Sequence, residues 1–163
     1  MKILIPLDGS KTGETALPYM EELVAKLSPR VKIELTLIQV LSFITHYVAA
    51  GDLITPISYT EQEMKQVRQQ ARNYLNKVAN GIRSKQVSVK IRIGIGSAAE
   101  EIIKAADEIT ADLIAMSTHG RHGLTRWAFG SVTDKVLRAG HKPILTVRVP
   151  KETAKTQPLN QCE

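Results

Sequence analysis

Short apolar runs of β-type alternate along the chain with longer segments whose apolar residues recur every three or four positions. That alternation of period is the mark of a parallel α/β sheet. The pattern predicts strands over residues 2–7, 32–41, 86–95, 112–117 and 143–149, and helices over 11–27, 61–83, 98–109 and 131–139. In the second helix Met64, Val67, Ala71, Leu75, Val78 and Ile82 form one stripe to face the sheet. Pro18 is expected to disturb the first helix.

The order of the strands follows from which of them are apolar on both faces. Ile3-Leu4-Ile5 and Leu113-Ile114-Ala115-Met116 are continuous, as central strands covered by helices are, whereas Val87, Val89, Ile91, Ile93 and Ile95 alternate with Ser88, Lys90 and Arg92, as an edge strand does. An open five-stranded parallel sheet of order 3-2-1-4-5, with helices on both faces, satisfies these observations. In that order the winding reverses between the first and fourth strands, and ligands of open α/β sheets bind at the carboxyl ends of the strands at such a point. The turns after Leu7 and Met116 are therefore the places to search. Residues 42–60, with Phe43, Tyr47, Leu53, Ile54 and Tyr59, form a connection long enough to be a lid, a partner contact or an undetected helical turn.

Length and composition narrow the class. At 163 residues the chain fits one domain, read as residues 1–150, with the polar stretch 151–163 as a flexible tail. It is 43% hydrophobic and 23% charged but 4% aromatic, which excludes disorder and disfavours a single-stranded nucleic-acid binder, whose bases stack on aromatic rings. No apolar run approaches the roughly 18 residues that span a bilayer. The early acid Asp8 is out of place in a signal peptide, so a cytoplasmic location without a membrane is expected. Cys162 is the one cysteine, which excludes an intrachain disulfide and a Cys-rich metal site.

The net charge of +6 is unevenly spread: Arg121, Arg126, Lys135, Arg138, Lys142 and Arg148 face one acid, Asp134, across residues 121–148. This serves equally as a solvated face or an anion site. No helix-turn-helix, RNA-recognition or OB signature accompanies it, so nucleic acid is not the expected partner.

The two turns differ in what they hold. After the first strand stands Pro6-Leu7-Asp8-Gly9-Ser10, where Asp8 either accepts hydrogen bonds from a ligand amine or hydroxyl or, as Ser10 also could, caps the next helix. After the fourth strand stands Ser117-Thr118-His119-Gly120-Arg121-His122-Gly123, followed after six residues by Gly130-Ser131 at a helix start. Small residues let main-chain amides approach phosphate oxygens, and a helix N-terminus adds unpaired N–H donors and a favourable dipole. The bland alternative is a capping box at Ser131-Val-Thr-Asp134, a device repeated at Ser97-Ala-Ala-Glu100. A Gly-x-x-x-x-Gly-Lys-Ser/Thr loop is absent, which excludes a P-loop NTPase.

These residues resemble the nucleotide-binding branch of the universal stress protein family, from Ile5-Pro-Leu-Asp-Gly-Ser10 through Ile144-Leu-Thr-Val-Arg148. The family's motif Gly-x2-Gly-x9-Gly-Ser/Thr is matched by Ser117-x2-Gly120-x9-Gly130-Ser131, with Ser117 in place of the first glycine. If that place requires a positive φ or the closest main-chain approach, serine there would weaken binding. The resemblance implies a Rossmann-like fold of the adenine nucleotide alpha hydrolase type. It implies that Pro6, Leu7 and Asp8 bound the adenosine end, that Val40 lines the adenine pocket through its main chain, and that Met116 and Ser117 lie under the ribose. It further implies that Gly120, Arg121 and Gly123 approach ribose and phosphates, while Gly130, Ser131 and Val132 hold the phosphate chain. ATP with Mg²⁺ is the implied cofactor, although no carboxylate cluster of its own awaits the ion. A homodimer through the last strand is implied as well, and the apolar edge Ile144, Leu145, Val147, Val149 would otherwise invite aggregation.

Fast phosphoryl transfer requires a base or water-orienting group, carboxylates for metal and a clamp on the γ-phosphate. Arg121 and Arg126 supply candidates for the clamp alone, and no acid stands ready to orient His119 or His122. The expected role is ATP as a regulatory ligand in a stress response, with at most slow hydrolysis. The alternative is a nucleotide-free dimeric scaffold that works through a protein partner.

Overall fold

The computed structural model describes residues 1–27, 30–42, 45–50, 53–82, 87–118 and 129–148, with 45–50 and 53–58 described in backbone only. Strand β1 (Lys2–Pro6) leads through a 3₁₀ turn (Gly13–Thr15) into α1 (Ala16–Leu27) and β2 (Ile33–Leu41). A hairpin of β3 (Thr45–Ala50) and β4 (Leu53–Ser58) precedes α2 (Glu61–Gly81) and β5 (Val87–Ile95). The chain continues through α3 (Ala98–Glu108), β6 (Leu113–Ser117), α4 (Ser131–Ala139) and β7 (Ile144–Val147).

The main sheet is parallel with order β5-β2-β1-β6-β7, which is the 3-2-1-4-5 order expected from the apolar runs. Central strands β1 and β6 are buried on both faces, because each alternates its side chains between two apolar layers. Ile3, Ile5, Leu35, Leu37 and Ala115 pack under Met20 and Val24 of α1 and Leu75 of α2. Leu4, Ile38, Ile114 and Met116 pack under Ile102 and Ala105 of α3 and Val136 of α4. The edge strand β5 carries its polar positions as ion pairs along the rim, Lys90 with Glu34 at 3.0 Å and Arg92 with Glu108 at 2.5 Å. Charges on an edge oppose pairing with a foreign strand.

Several local expectations are corrected. Pro18 does not disturb α1, because the helix begins at Ala16 and places Pro18 in its first turn, where the N–H has no intrahelical partner to lose. The long 42–60 connection holds an antiparallel hairpin, paired from Thr45↔Ser58 to Ala50↔Leu53, and not a helical turn. Helix α2 starts from a full capping box in which the Thr60 Oγ1 accepts from Glu63 N–H and the Glu63 carboxylate accepts from Thr60 N–H. The two boxes expected at Ser97 and Ser131 do not form: Ser97 is an N-cap with no side-chain bond, and Gly130 takes the N-cap of α4, leaving Ser131 as its first helical residue. The last strand stops at Val147, and the tail 151–163 lies outside the described residues.

Candidate functional site

The winding reverses between β1 and β6, and the carboxyl ends of these two strands build the site from opposite sides. On the β1 side, pairing with β2 ends at Pro6↔Ile38, and the Leu7 N–H makes one last bond to the Ile38 carbonyl at 2.8 Å. Gly9 then turns the chain with φ +82, a conformation that favours glycine. Asp8 folds back into this turn: its Oδ1 accepts from the Ser10 N–H at 3.0 Å and from the Ser10 Oγ at 2.7 Å. Ser10 Oγ in turn accepts from the Gly13 N–H at 2.9 Å, so Ser10 rather than Asp8 satisfies the start of the 3₁₀ turn. Gly13 leaves room for this arrangement, since a Cβ there would collide with Asp8 Oδ1.

A second layer fixes the turn from α2. The Tyr74 hydroxyl donates to Glu14 Oε1 at 2.9 Å. Burial, followed by the Glu14 hydrogen bond, pushes the Tyr74 phenol above its usual range, while a hydrogen bond from the Gly9 main chain acts in the opposite direction. Tyr74, Glu14 and Gly13 were not singled out in the sequence. Tyr74 sits between Ala71 and Leu75 in the helical stripe, so its spacing reads as core.

On the β6 side, Met116, Ser117 and Thr118 are all buried. The Thr118 N–H bonds the Val147 carbonyl, the Gly130 N–H bonds the Thr118 carbonyl at 2.7 Å, and the buried Thr133 Oγ1 donates to the Ser117 carbonyl at 3.1 Å. Two bonds thus pin the first turn of α4 to the end of β6. Gly130 at the N-cap has φ −69 and ψ 160, Ser131 is exposed, and Val132 packs against the apolar layer that also holds Met116 and Val40. Ser117 has no positive φ, because Thr110 is the one non-glycine residue with that geometry among the described residues. A serine is therefore free of φ strain here.

Val40 contributes through geometry that parallel pairing dictates. In a parallel ladder the N–H and C=O of alternate residues point to the same neighbour. The Ile38 carbonyl faces β1 and the Leu41 carbonyl accepts from Gly96 on the β5 side, so the Val40 N–H and C=O point toward β1. They do so beyond the last β1 partner, at the level where the Asp8 turn departs. The expected residues Pro6, Leu7, Asp8, Val40, Met116, Ser117, Gly130, Ser131 and Val132 thus all lie at the carboxyl end of the sheet. Leu7 is core, packed with the α1 and α2 layer. Gly120, Arg121 and Gly123, with His119, His122 and Arg126, lie outside the described residues. Among the described residues no group of three His, Cys, Asp or Glu could hold a metal ion. No described helix is long and apolar enough to cross a membrane. A cleft of about 420 Å³, lined by Arg68, Arg72, Ile93 and Glu101 among others, lies along β5.

Fold and site together define a doubly wound α/β protein whose crevice is framed by an acidic turn and a pinned helix N-terminus. Comparison with known proteins gives the family. A sequence model of the universal stress protein family matches residues 1–148, and the chain belongs to that family. Universal stress protein MJ0577 of Methanocaldococcus jannaschii is 28% identical over 152 residues, covering 90% of this chain and 94% of the relative. Universal stress protein MJ0531 of the same organism is 30% identical over 154 residues, covering 93% and 84%. The solved structure of MJ0577 superposes with a TM-score of 0.71 at 26% identity, covering 92% of this chain and 96% of its own. A universal stress protein family structure from Arabidopsis thaliana with AMP bound shares the fold at a TM-score of 0.65 and 14% identity, covering 96% and 97%.

Proposed function

We propose that this protein binds an adenine nucleotide at the switch point, with ATP as the regulatory ligand of a stress response and with at most slow hydrolysis. The observation that carries the reading is the first turn of α4, pinned by Thr118 and Thr133 to the end of β6, across from the Asp8 turn. A fixed helix N-terminus attracts phosphate, and an acid on the other wall suits a ribose hydroxyl. The Val40 N–H and C=O suit the ring nitrogen and amino group of adenine. Other universal stress proteins have been solved with AMP, dAMP or cAMP bound, which supports an adenine nucleotide in this crevice.

In this reading Pro6, Leu7 and Asp8 border the adenosine, Met116 and Ser117 underlie the ribose, and Gly130, Ser131 and Val132 receive the phosphates. Gly120, Arg121 and Gly123 complete the phosphate side. Mg²⁺ would be held by phosphate oxygens and water, consistent with its preference for few protein ligands. Residues 1–150 act as one unit in the cytoplasm, as a homodimer through β7, whose Ile144, Leu145 and Thr146 are partly exposed at the sheet edge. A protein partner would read the bound state.

Thermal unfolding of nucleotide-stripped protein with and without Mg·ATP tests the site. A ligand at about 100 times its Kd stabilises by about 2.7 kcal/mol, which is about 5–10 °C for a chain of this size. That shift, lost in Gly130→Val, supports the reading. No shift at millimolar ATP or AMP refutes it and favours the nucleotide-free scaffold.

A further inference from the structure

Strand β5 leaves one side of its main chain unpaired. The Gly96 N–H bonds the Leu41 carbonyl of β2, and alternate residues of a parallel strand face the same neighbour. Ser88, Lys90, Arg92 and Gly94 therefore direct their main-chain groups to β2. Val87, Val89, Ile91, Ile93 and Ile95 direct theirs outward, where they bond no described residue. The strand is 9 residues long, and an unpaired edge of that length is a template for an incoming strand.

The charge around this edge selects the strand. Ile91 and Ile93 set their side chains on the α1 and α2 layer, and the cleft above them is walled by Arg68 and Arg72 of α2. Both arginines are exposed, and neither has an ion-pair partner among the described residues. They stand one turn apart, about 6 Å along a helix that packs on β5. Alternate residues of an extended strand share a face and are about 6.6 Å apart, so carboxylates in the pattern acid-x-acid match the two guanidinium groups. On the other face of β5 the charges are already matched, Lys90 with Glu34, Arg92 with Glu108 and Lys104 with Glu101. Those pairs keep apolar strands off the edge and confine its unmatched charge to the α2 face.

We infer that the outer edge of β5 is a docking site for an extended acidic segment of another protein, which adds a strand beside β5 and sets two alternate carboxylates on Arg68 and Arg72. A second copy of this edge does not fit, because it would bring its own two arginines against the first pair. The tail 151–163 does not fit either, since its acids, Glu152 and Glu163, lie at opposite ends of it. The inference stands on the edge alone and is independent of the nucleotide reading.

The test is fluorescence anisotropy of the full chain, without nucleotide, against the labelled peptide Thr-Val-Glu-Thr-Glu-Val-Thr. Saturable binding below about 1 mM is expected, weakening as salt is added. The isomer Thr-Val-Glu-Glu-Thr-Val-Thr has the same charge but divides its acids between the two faces, and should bind about tenfold more weakly. The double variant Arg68→Gln, Arg72→Gln should hold both peptides at that weaker level and keep the natural Tm, as both side chains are exposed. N-methylation of alternate peptide amides should abolish binding in one phase and spare it in the other, because only one set of amides faces β5. Equal binding of the two isomers overturns the inference, as does full binding to the double variant. Binding that survives both N-methylation phases overturns it too, by assigning the attraction to charge without strand pairing. Absence of saturable binding to the first peptide below about 1 mM is equally decisive against it. If the double variant does not fold, the isomers and the N-methylated peptides decide on the natural chain.

Discussion

Replacing Gly13 by alanine isolates the preorganisation of Asp8. The added Cβ would overlap Asp8 Oδ1 and stand 3.4 Å from Ser10 Oγ. Gly13 has no positive φ, so the backbone accepts alanine and the effect is steric alone. Relief requires the Asp8 carboxylate to swing away from its bonds at 3.0 and 2.7 Å to Ser10. Hydrogen bonds to a charged group contribute about 1.5–3 kcal/mol each, and partial exposure of Asp8 lets water recover much of that, leaving about 2 kcal/mol. For a chain of this size that lowers the Tm by about 4–8 °C in a calorimetric scan. The decisive measurement is the double-mutant cycle with Asp8→Ala, where the collision has no second party and Gly13→Ala becomes nearly neutral. An equal loss in both backgrounds would refute the reasoning, as would no loss in either.

The remaining predictions concern two supports of the same site and one strained helix end. Tyr74 keeps its proton in the folded state above its ordinary pKa of about 10, so its contribution is full below that pH and is lost as pH rises beyond it. Tyr74→Phe should therefore destabilise by about 1 kcal/mol at pH 8 and flatten the alkaline fall in stability measured by urea titration across pH 9–11. Thr133→Val removes the buried bond to the Ser117 carbonyl and should lower the Tm by about 2–4 °C, with weaker Mg·ATP stabilisation as the start of α4 loosens. Thr110 sits at the end of α3 with φ 51, where a β-branched residue is strained; Thr110→Gly should raise stability by about 0.5–1 kcal/mol in urea unfolding, less what its bond from Lys2 contributes.

Legibility in the sequence followed the reach of each signal. Strand order was readable because burial on both faces leaves continuous runs such as Ile3-Leu4-Ile5, and the observed order follows them. The hairpin was not, because Pro56 speaks against a strand and the apolar residues of 45–58 do not alternate. Gly51-Asp52 between two β-prone runs was the available clue, and Ala50↔Leu53 is the pair that closes on it. Capping was misplaced for a tertiary reason. Gly130 becomes the N-cap because Thr118 holds its N–H, and this displaces Ser131 into the helix. Of the site, the residues on strand ends were legible from motif and topology. Their supports were not: Tyr74 and Thr133 look like ordinary stripe or helix positions until long-range contacts join them to residues far along the chain.

The central position of β1 has a consequence for how the protein is made. Ile3 pairs with Leu35 on one side and with Leu113 on the other, so the first strand synthesised waits for one of the last. A ribosome-bound chain that has reached β5 can assemble β1, β2 and β5 under α1 and α2, while Leu4 and Ile38 still lack α3 and α4. That intermediate has one finished layer and one bare apolar layer, the condition in which nascent chains recruit chaperones or aggregate. A fragment ending at Ser97 should accordingly bind a hydrophobic dye that the full chain excludes. The strand that anchors the finished sheet is, during synthesis, its longest-exposed liability.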